Sequence, residues 1–378
     1  MVLINWSGHS INNLDEMRSW SVVGLKLGII GAGSMGRTHA SYYAQMEDVE
    51  IAGVVGKGPE RGRKLSESLH VPLVDSVAKL LKDKSVEAVD ICTPSSSHRE
   101  IAVAALKAGK HVFCETPLAL TVPDGEFMVR AAHDAKKLLL VAQVMRFVAA
   151  NRLIKEEVSS GKLGKPLSVY AGRFTSPYWK GKGAKHFEDY GEPVVDLMIH
   201  DFDYISWLLG HVPTTVTGTG TRGVSGAFEH AFVGLHFRGA HGLAEGSVMM
   251  PSSWPFTTLH RVVCERGAYE VRFRFLPKGP STEFMFYPRS GAPEVPKYID
   301  VDPYREECVH FVNCVRNHAD PGPLGSESAL DSLRIALAAG QALKTDKPLI
   351  ITPHPGRRGL VSPYLPNTPS RQTKARRQ

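Results

Sequence analysis

Apolar and polar positions follow two alternating periods through the first 145 residues of this 378-residue chain. Short apolar runs of strand length are each followed by a longer segment in which apolar residues recur at helical spacing. Strands are predicted at 25–30, 49–55, 88–92, 111–114 and 138–142, and helices at 60–69, 98–108 and 125–135. Such alternation is typical of a parallel, doubly wound sheet covered by helices.

The pattern changes after Arg146. A helix is predicted over 151–159, and strands then follow with few helices between them, at 168–174, 231–237, 260–264 and 269–275. Strands without crossover helices favour an antiparallel or mixed sheet. We therefore predict an α/β protein whose N-terminal doubly wound parallel sheet precedes an α+β domain with an open, largely antiparallel sheet.

The first predicted strand runs directly into a G-x-G-x-x-G turn that precedes helix-compatible sequence. Gly31 permits a tight turn, Gly33 lets the backbone approach a phosphate, and Gly36 lets the helix pack on the strand. The amides that begin the helix, at Ser34 and Met35, would bind a pyrophosphate. A plain structural turn is the alternative, but the position between strand and helix favours a dinucleotide site in a Rossmann domain.

The residue that binds the adenosine ribose lies about 20 residues beyond the glycines in this fold and is commonly acidic. Here the position is Gly56, with Lys57 and Arg61 beside it and no carboxylate before Glu60. A small residue beside cations leaves room for a 2′-phosphate and pairs with it. This favours NADP over NAD; alternatively, both cations are ordinary solvated charges and either cofactor binds.

The distribution of charged residues along the chain bears on whether nucleic acid is a partner. Of the 45 Lys and Arg residues, six lie after Thr352, where there is no acid, and the other 39 face 38 Asp and Glu residues. Six charges of the net +7 therefore reside in a tail whose composition is typical of a solvated, disordered end, and the rest of the chain carries +1. We predict no nucleic-acid partner, although the tail remains a candidate for binding polyanions.

The cysteines and the apolar runs indicate the cellular compartment in which the protein is expected. The five cysteines form no C-x-x-C pair, which favours reduced thiols in a cytoplasmic protein. No membrane span is predicted, and the first two dozen residues lack the apolar run of a signal peptide. The expected divisions are an N-terminal extension at 1–24, a dinucleotide-binding domain at 25–146, a substrate-binding and oligomerisation domain at 147–352 and a basic tail at 353–378.

Three further segments follow the glycine turn in order: Ile91 to His98 with the sequence ICTPSSSH, Glu115-Thr116-Pro117, and Asp196 to Asp203 with the sequence DLMIHDFD. Together they resemble the glucose-fructose oxidoreductase and inositol dehydrogenase family, written Gfo/Idh/MocA, over about residues 25–350. The resemblance implies a Rossmann domain, then an open-sheet domain, and redox chemistry at one carbon of a sugar, cyclitol or related polyol. It also implies a homodimer or homotetramer formed through the open sheet, and cofactor contacts at Thr93, Pro94, His98 and Glu115.

One position departs from that family. Its usual Glu-Lys-Pro is replaced here by a motif with Thr116 at the centre. In the family the lysine hydrogen-bonds the reacting oxygen, and its charge stabilises a developing alkoxide. Threonine is neutral and shorter, although its hydroxyl still donates at closer range. Loss of such a donor costs on the order of a hundredfold in rate, so Thr116 is predicted to be a weaker catalytic donor.

Asp196 and His200 are four residues apart among apolar neighbours, a spacing that puts both on one helix face, with Asp203 continuing the stripe. From spacing alone, a structural hydrogen bond is the commoner explanation. The resemblance implies that His200 is the general acid or base for the substrate hydroxyl and that Asp196 contacts the substrate or orients His200. An imidazole that titrates near neutrality suits proton transfer.

Two other groups receive lower weight. Six residues lie near the domain junction or in the loop before Asp196: Arg146, Tyr178, Trp179, Lys180, Lys182 and Lys185. One of those three lysines is a candidate to replace the missing lysine, although a flexible lysine-rich loop is usually solvated. His310, Cys314 and His318 have helical spacing, but three ligands without a second cluster favour packing or surface roles. No metal is predicted.

The sequence thus predicts an NAD(P)-dependent oxidoreductase for a sugar-like or polyol substrate. Two alternatives stay open. The first is a redox-assisted glycosidase with a tightly bound cofactor, which would turn over without net change in cofactor absorbance. The second is a catalytically weak cofactor-binding sensor or scaffold, which the loss of the lysine motivates.

Overall fold

The computed structural model describes residues 24–56, 59–178 and 183–352. The N-terminal extension, Lys57, the loop residues Trp179, Lys180 and Lys182, and the basic tail lie outside these ranges, so the predictions made for them stay predictions. Within the described ranges, no helix is long and apolar enough to cross a bilayer.

The N-terminal domain alternates strands and helices as the apolar pattern predicts. Its strands are β1 (Leu25–Ile30), β2 (Val49–Val55), β3 (Ala88–Ile91), β4 (His111–Cys114) and β5 (Leu139–Val141). Its helices are α1 (Ser34–Tyr43), α2 (Pro59–Leu69), α3 (Val77–Lys82), α4 (His98–Lys107) and α5 (Val122–Ala135).

All five strands are parallel and lie in the order β2-β1-β3-β4-β5. The chain leaves β1 toward one edge for β2 and returns to its other side for β3, so the strand order reverses between β1 and β3. In open α/β sheets, ligands bind at the carboxyl ends of the strands at such a reversal. The glycine turn follows β1 at this position.

The second domain begins with α6 (Ala149–Ser159) and is built on one large sheet. Its strands are β6 (Pro166–Phe174), β7 (Thr215–Arg222), β8 (Phe228–Phe237), β9 (Ala240–Ser247), β10 (Thr257–Cys264), β11 (Gly267–Leu276), β12 (Gly279–Pro288) and β13 (Leu349–Ile350). The helices are α7 (Gly183–Tyr190), α8 (Pro193–Asp196), α9 (Ile199–Leu209), α10 (Pro303–Asn317) and α11 (Ser326–Thr345).

The large sheet has the order β12-β11-β10-β6-β9-β8-β7-β13. Every neighbouring pair is antiparallel except β6 and β9, which are parallel. The predicted fold class, a Rossmann parallel sheet followed by an open and largely antiparallel sheet, is confirmed.

Helix α10 returns to the cofactor domain although it comes late in the chain. Its buried face, which includes Cys308, Phe311 and Val312, shares a hydrophobic cluster with Leu27 and Ile29 of β1. The Phe113 ring of β4 stacks on Phe311 with 5.1 Å between centroids. Residues after position 300 therefore complete the core of the first domain, while the exact domain division stays a prediction.

A buried ion pair joins the two domains. Asp203 on α9 accepts hydrogen bonds from Arg146 Nε at 2.9 Å and Nη2 at 2.6 Å. The same carboxylate also accepts from Gln143, which follows β5, and from Ser332 of α11 at 2.7 Å. Because removal of one partner would leave a buried charge unpaired, this network fixes α9 against the cofactor domain. Arg146 is thereby committed to Asp203.

Candidate active site

The glycine turn has the close backbone packing that its sequence predicts. Gly31 has φ +115°, and a Cβ there would lie 2.4 Å from the carbonyl oxygen of Cys92. A Cβ on Gly36 would lie only 1.8 Å from the carbonyl oxygen of Gly31. Both positions exclude any side chain for reasons internal to the fold.

Gly33 differs from its two neighbours. A Cβ at Gly33 would meet no atom within 4 Å, so the turn is open on this side. Gly33 is also the N-cap of α1 and has no side chain to accept hydrogen bonds from the amides of Ser34 and Met35. Open space in front of uncapped helix amides fits a pyrophosphate.

Gly56 follows β2 and is held small by packing. A Cβ there would lie 2.8 Å from Cα of Gly62 in α2, so a ribose-binding carboxylate does not fit at this position. Arg61 is exposed in the first turn of α2. Burial raises the pKa of Tyr190 on α7, and the nearby charge of Arg61 opposes that rise.

The segments after β3 and β4 are tied together beneath the cofactor edge. His98 is buried, with Nε2 2.9 Å from the Thr93 carbonyl oxygen and Nδ1 2.9 Å from the Pro117 carbonyl oxygen. Burial lowers the pKa of His98, against the opposing effect of these carbonyl groups. Pro94 and Thr116 lie half-buried in the two joined segments. His98 thus braces the turn of Thr93 and Pro94 against that of Thr116.

The prediction that one helix carries both Asp196 and His200 is wrong. Helix α8 ends at Asp196 and α9 begins at Ile199. The amides of Leu197 and Met198 both donate to the one carbonyl of Pro193, which interrupts the regular ladder. The two side chains therefore do not share a continuous helical face, and Asp203 points instead into the interdomain ion pair.

Asp196 pairs with aromatic side chains. Its Oδ2 accepts a hydrogen bond from the Tyr178 hydroxyl at 2.6 Å and lies 3.6 Å from Nε2 of His186 on α7. The His186 ring stacks on Tyr190 with 4.7 Å between centroids. Ser96, in the turn after β3, donates to Asp189 of α7 at 3.2 Å. Helix α7 thus contacts Asp196 through His186 and the edge of the cofactor domain through Asp189.

His200 lies half-buried at the start of α9. Burial, assisted by the charge of Arg173, lowers its pKa to about 3. Arg173 is itself buried and bonded to Asp201, with Nε 2.9 Å from Oδ2 and Nη2 3.1 Å from Oδ1. His200 is therefore a neutral imidazole at pH 7, able to donate one hydrogen bond and accept one.

Several of these partners have no strong sequence signal. Arg173 occupies an alternate position of a strand, and His186 is one of 16 histidines in the chain. Only Asp201 is adjacent to a predicted site residue.

Lys185, a candidate substitute for the missing lysine, is exposed. In the helical trio of His310, Cys314 and His318, His310 Nε2 lies 2.9 Å from the Pro321 carbonyl oxygen and 3.4 Å from Sγ of the buried Cys314.

A buried polar cluster lies directly behind the glycine turn. His39 of α1 is fully buried, and its Nδ1 is 2.9 Å from Oδ2 of Asp90. Its Nε2 lies 3.4 Å from Glu115 Oε1 and 3.7 Å from Glu307 Oε1. Burial lowers the pKa of His39, but the three carboxylates outweigh that effect and raise it to about 10. Burial raises the pKa of Glu115 to about 7.

The same cluster contains the best metal-ligating group among the described residues. Atoms of His39, Cys92 and Glu115 lie within 4.8 Å of one another. The Cys92 thiol donates to Asp90 at 3.1 Å, and the pKa of that thiol is raised by burial. A thiol and an imidazole that hold their protons are poor ligands, since metals bind the deprotonated forms.

The open face at Gly33 leads to a prediction for Gly33→Ala. The free energy of unfolding should change by less than about 0.5 kcal/mol, because the new methyl group meets no protein atom. Affinity for the dinucleotide should fall by about tenfold or more, because the methyl group occupies the approach of the pyrophosphate. Urea unfolding and titration of nicotinamide fluorescence measure the two effects.

The matched control is Gly36→Ala, which should destabilise the fold by about 3 kcal/mol because its Cβ would overlap the Gly31 carbonyl. Undiminished dinucleotide affinity in folded Gly33→Ala would contradict the assignment of the pyrophosphate seat.

The buried cluster predicts a pH dependence of stability. The pKa of His39 is raised from 6.5 to about 10, so its contribution is complete below pH 6.5 and is lost as the pH rises through 10. Glu115 acts in the same direction, because a carboxyl with a raised pKa favours folding only while it is protonated. The stability difference between wild type and His39→Gln should therefore shrink as the pH rises from 6.5 to 10.

Urea unfolding at several pH values measures that difference. The exposed His133→Gln provides the control and should show no comparable pH dependence. A difference that stays constant between pH 6.5 and 10 would show that His39 is not held as a cation.

Comparisons with known proteins agree with this geometry. Residues 25–143 match the family model described as oxidoreductase family, NAD-binding Rossmann fold, and residues 151–270 match the Gfo/Idh/MocA C-terminal domain. The chain is 30% identical over 231 residues to a myo-inositol 2-dehydrogenase of Thermotoga maritima, which covers 59% of this chain and 68% of that protein.

A 1,5-anhydro-D-fructose reductase of Ensifer adhaerens is 29% identical over 217 residues, covering 56% of this chain and 65% of that protein, so slightly less than two thirds of its length is matched. Among solved structures, an aldose-aldose oxidoreductase from Caulobacter crescentus superimposes with a TM-score of 0.76 at 22% identity, covering 87% of this chain and 100% of that chain. This last likeness concerns the fold. Taken with the glycine turn and the two-sheet architecture, the matches establish that the chain belongs to the Gfo/Idh/MocA family of oxidoreductases.

Proposed function

We propose that this protein transfers hydride between a nicotinamide cofactor and a hydroxyl or carbonyl carbon of a sugar, cyclitol or related polyol. The observation that carries the proposal is the open, uncapped turn at Gly33. Helix α7 contacts the turn after β3 at the same sheet edge through Asp189 and contacts Asp196 through His186, which supports the proposal. The relatives named as an inositol dehydrogenase and an anhydrofructose reductase act on substrates of this class, which supports it.

The residues that would hold the dinucleotide follow the carboxyl ends of the strands. Gly31, Gly33 and Gly36, with the amides of Ser34 and Met35, form the pyrophosphate seat. The nicotinamide half is assigned to the next two turns, with contacts from Thr93, Pro94, His98 and Glu115. When bound, the nicotinamide accepts or donates the hydride.

The chain's own side chains would handle the substrate and its proton. Asp196, whose Oδ2 accepts a hydrogen bond from the Tyr178 hydroxyl, would accept another from a substrate hydroxyl. His200 is neutral and accepts the hydroxyl proton as hydride leaves the carbon, although its low pKa makes it a weak base before substrate binds. Thr116 donates a hydrogen bond to the reacting oxygen and provides less charge stabilisation than a lysine.

The cofactor is proposed to be NADP in preference to NAD. Packing of Gly56 against Gly62 excludes a carboxylate that would repel a 2′-phosphate. Arg61 lies exposed nearby and provides a guanidinium that pairs well with phosphate. Lys57 belongs to the same proposal.

The cofactor proposal predicts the effect of Arg61→Glu. Affinity for NADPH should fall by about tenfold or more, because an acid replaces a charged donor to the 2′-phosphate. The affinity of Arg61→Glu for NADH, which lacks that phosphate, should stay within about twofold of wild type. The control Arg63→Glu, on the same helix, should keep the ratio of the NADPH and NADH affinities within about twofold of the wild-type ratio. Fluorescence titration gives both values. Equal or better binding of NADH by the wild type would refute the preference for NADP.

The catalytic proposal predicts the outcome of a substrate screen. Sugars, cyclitols and dihydrodiols are assayed with both cofactors by reduced-nicotinamide absorbance. Wild type should turn over at least one of them, and Thr116→Lys should be faster by on the order of a hundredfold because a charged donor is restored. His200→Asn should lose most of the activity, and the exposed His133→Asn should keep it.

The screen also separates the alternatives. Turnover of a glycoside without net change in absorbance would favour the redox-assisted glycosidase. Turnover by Thr116→Lys but not by wild type would favour a cofactor-binding sensor.

A homodimer or homotetramer formed through the large sheet remains part of the proposal, supported by the exposed Phe232 and Leu243 on adjacent strands β8 and β9.

A further inference from the structure

Helix α10 places an acid against the buried cluster behind the cofactor turns. Glu307 is 1% exposed, and neither of its carboxylate oxygens has a hydrogen-bond partner among the described residues. Its Oε1 lies 3.7 Å from Nε2 of His39. Phe311, one helical turn further along α10, stacks on Phe113, whose ring stacks in turn on His39 at 5.6 Å. One face of α10 therefore provides both a carboxyl group and a ring to the same histidine.

His39 lies between that acid and the residue before Thr116. The imidazole Nε2 is 3.4 Å from Oε1 of Glu115, and the other carboxylate oxygen of Glu115 accepts the Thr116 amide at 3.2 Å. Asp90 holds the opposite ring nitrogen. A shift of the imidazole would therefore act on the Glu115 carboxylate and through it on the backbone of Thr116.

The cluster requires protons to exist as a buried unit. Unpaired carboxylates inside a protein are costly, so several of them in contact cannot all stay ionised. One imidazolium can neutralise one of the three acids, and burial raises the pKa of Glu115 and of Glu307. The titratable groups that face His39 and Glu307 from the packed elements are Tyr43, Asp90, Cys92, Glu115, Asp302, Tyr304 and Cys308.

We propose that Glu307 is a positioning residue for the nicotinamide half of the cofactor, because its carboxyl holds His39 against Glu115 and thereby fixes the backbone that carries Thr116. The proposal rests on the proposed function in one respect, namely that Thr116 lies beside the nicotinamide. It assigns to a helix from the far end of the chain a role in the geometry of the cofactor site.

The role of Glu307 differs from that of the glycine turn. The glycine turn would bind the pyrophosphate, which is present in ligands with and without a nicotinamide. Glu307 acts only on the segment assigned to the nicotinamide. Loss of Glu307 should therefore weaken ligands that carry a nicotinamide more than ligands that lack it. A general loss of structure would weaken both.

The test uses Glu307→Gln, which replaces the carboxyl with an amide at nearly constant volume, and Glu306→Gln, a control on the preceding residue of α10, which pairs with Arg305. NADPH is titrated by fluorescence. The competitor without a nicotinamide is a single probe, ADP-ribose 2′-phosphate. Glu307→Gln should bind NADPH about five- to tenfold more weakly, with altered nicotinamide emission, and should bind the probe within twofold of wild type. Glu306→Gln should change neither.

A second measurement needs no cofactor. Nitrogen-15 NMR of the histidine side chains should show His39 of the full-length wild type with both ring nitrogens protonated at pH 8, and Glu307→Gln should hold both protons in a smaller fraction of molecules at the same pH. If that variant does not fold, Glu307→Asp provides a shorter carboxyl and should give an intermediate change in both measurements.

The outcomes separate this inference from the proposed function. Wild type that binds neither NADPH nor the probe contradicts the proposed function, and the NMR result still decides the state of the cluster. Equal weakening of NADPH and the probe in Glu307→Gln would overturn the positioning role. A neutral His39 in wild type, or one equivalent of transition metal in the purified protein, would overturn the proton-bound cluster.

Discussion

The close approach of backbone to backbone at the glycine turn is the constraint on which the cofactor domain depends. The carbonyl oxygen of Gly31 occupies the space that a side chain on Gly36 would need, and the carbonyl of Cys92 does the same for Gly31. Strand β1, helix α1 and the end of β3 therefore meet without any intervening side chain. This contact sets where α1 begins, and with it the position of His39 in the second turn of that helix.

Much of the fold could be predicted because its pattern is local. The parallel strands have short apolar runs and the helices have amphipathic spacing, so β2 and β4 match their predicted bounds. The glycine turn was also recognisable, since its conformation follows from residue type. The break between Asp196 and Ile199 could not be predicted, because every residue there is compatible with a helix and the interruption depends on two amides sharing the Pro193 carbonyl.

The electrostatic character of the site depends on contacts between distant parts of the chain. Arg173 lies 27 positions before His200 in the sequence, yet its charge and the burial of the ring keep that imidazole neutral. Conversely, His39 is surrounded by acids from two strand ends and a late helix and stays charged despite complete burial. Residue type alone would assign both histidines the same titration behaviour. Tertiary contacts give them opposite charge states, and no spacing rule contains that information.

The return of α10 to the first domain has a consequence for synthesis on the ribosome. Cys308, Phe311 and Val312 fill the same hydrophobic cluster as Leu27 and Ile29 of the first strand. A nascent chain that ends after β5 lacks this part of its core and exposes the apolar surface that α10 later covers. The N-terminal domain therefore cannot finish folding as an independent unit while it emerges, and must wait until more than 150 further residues have been added.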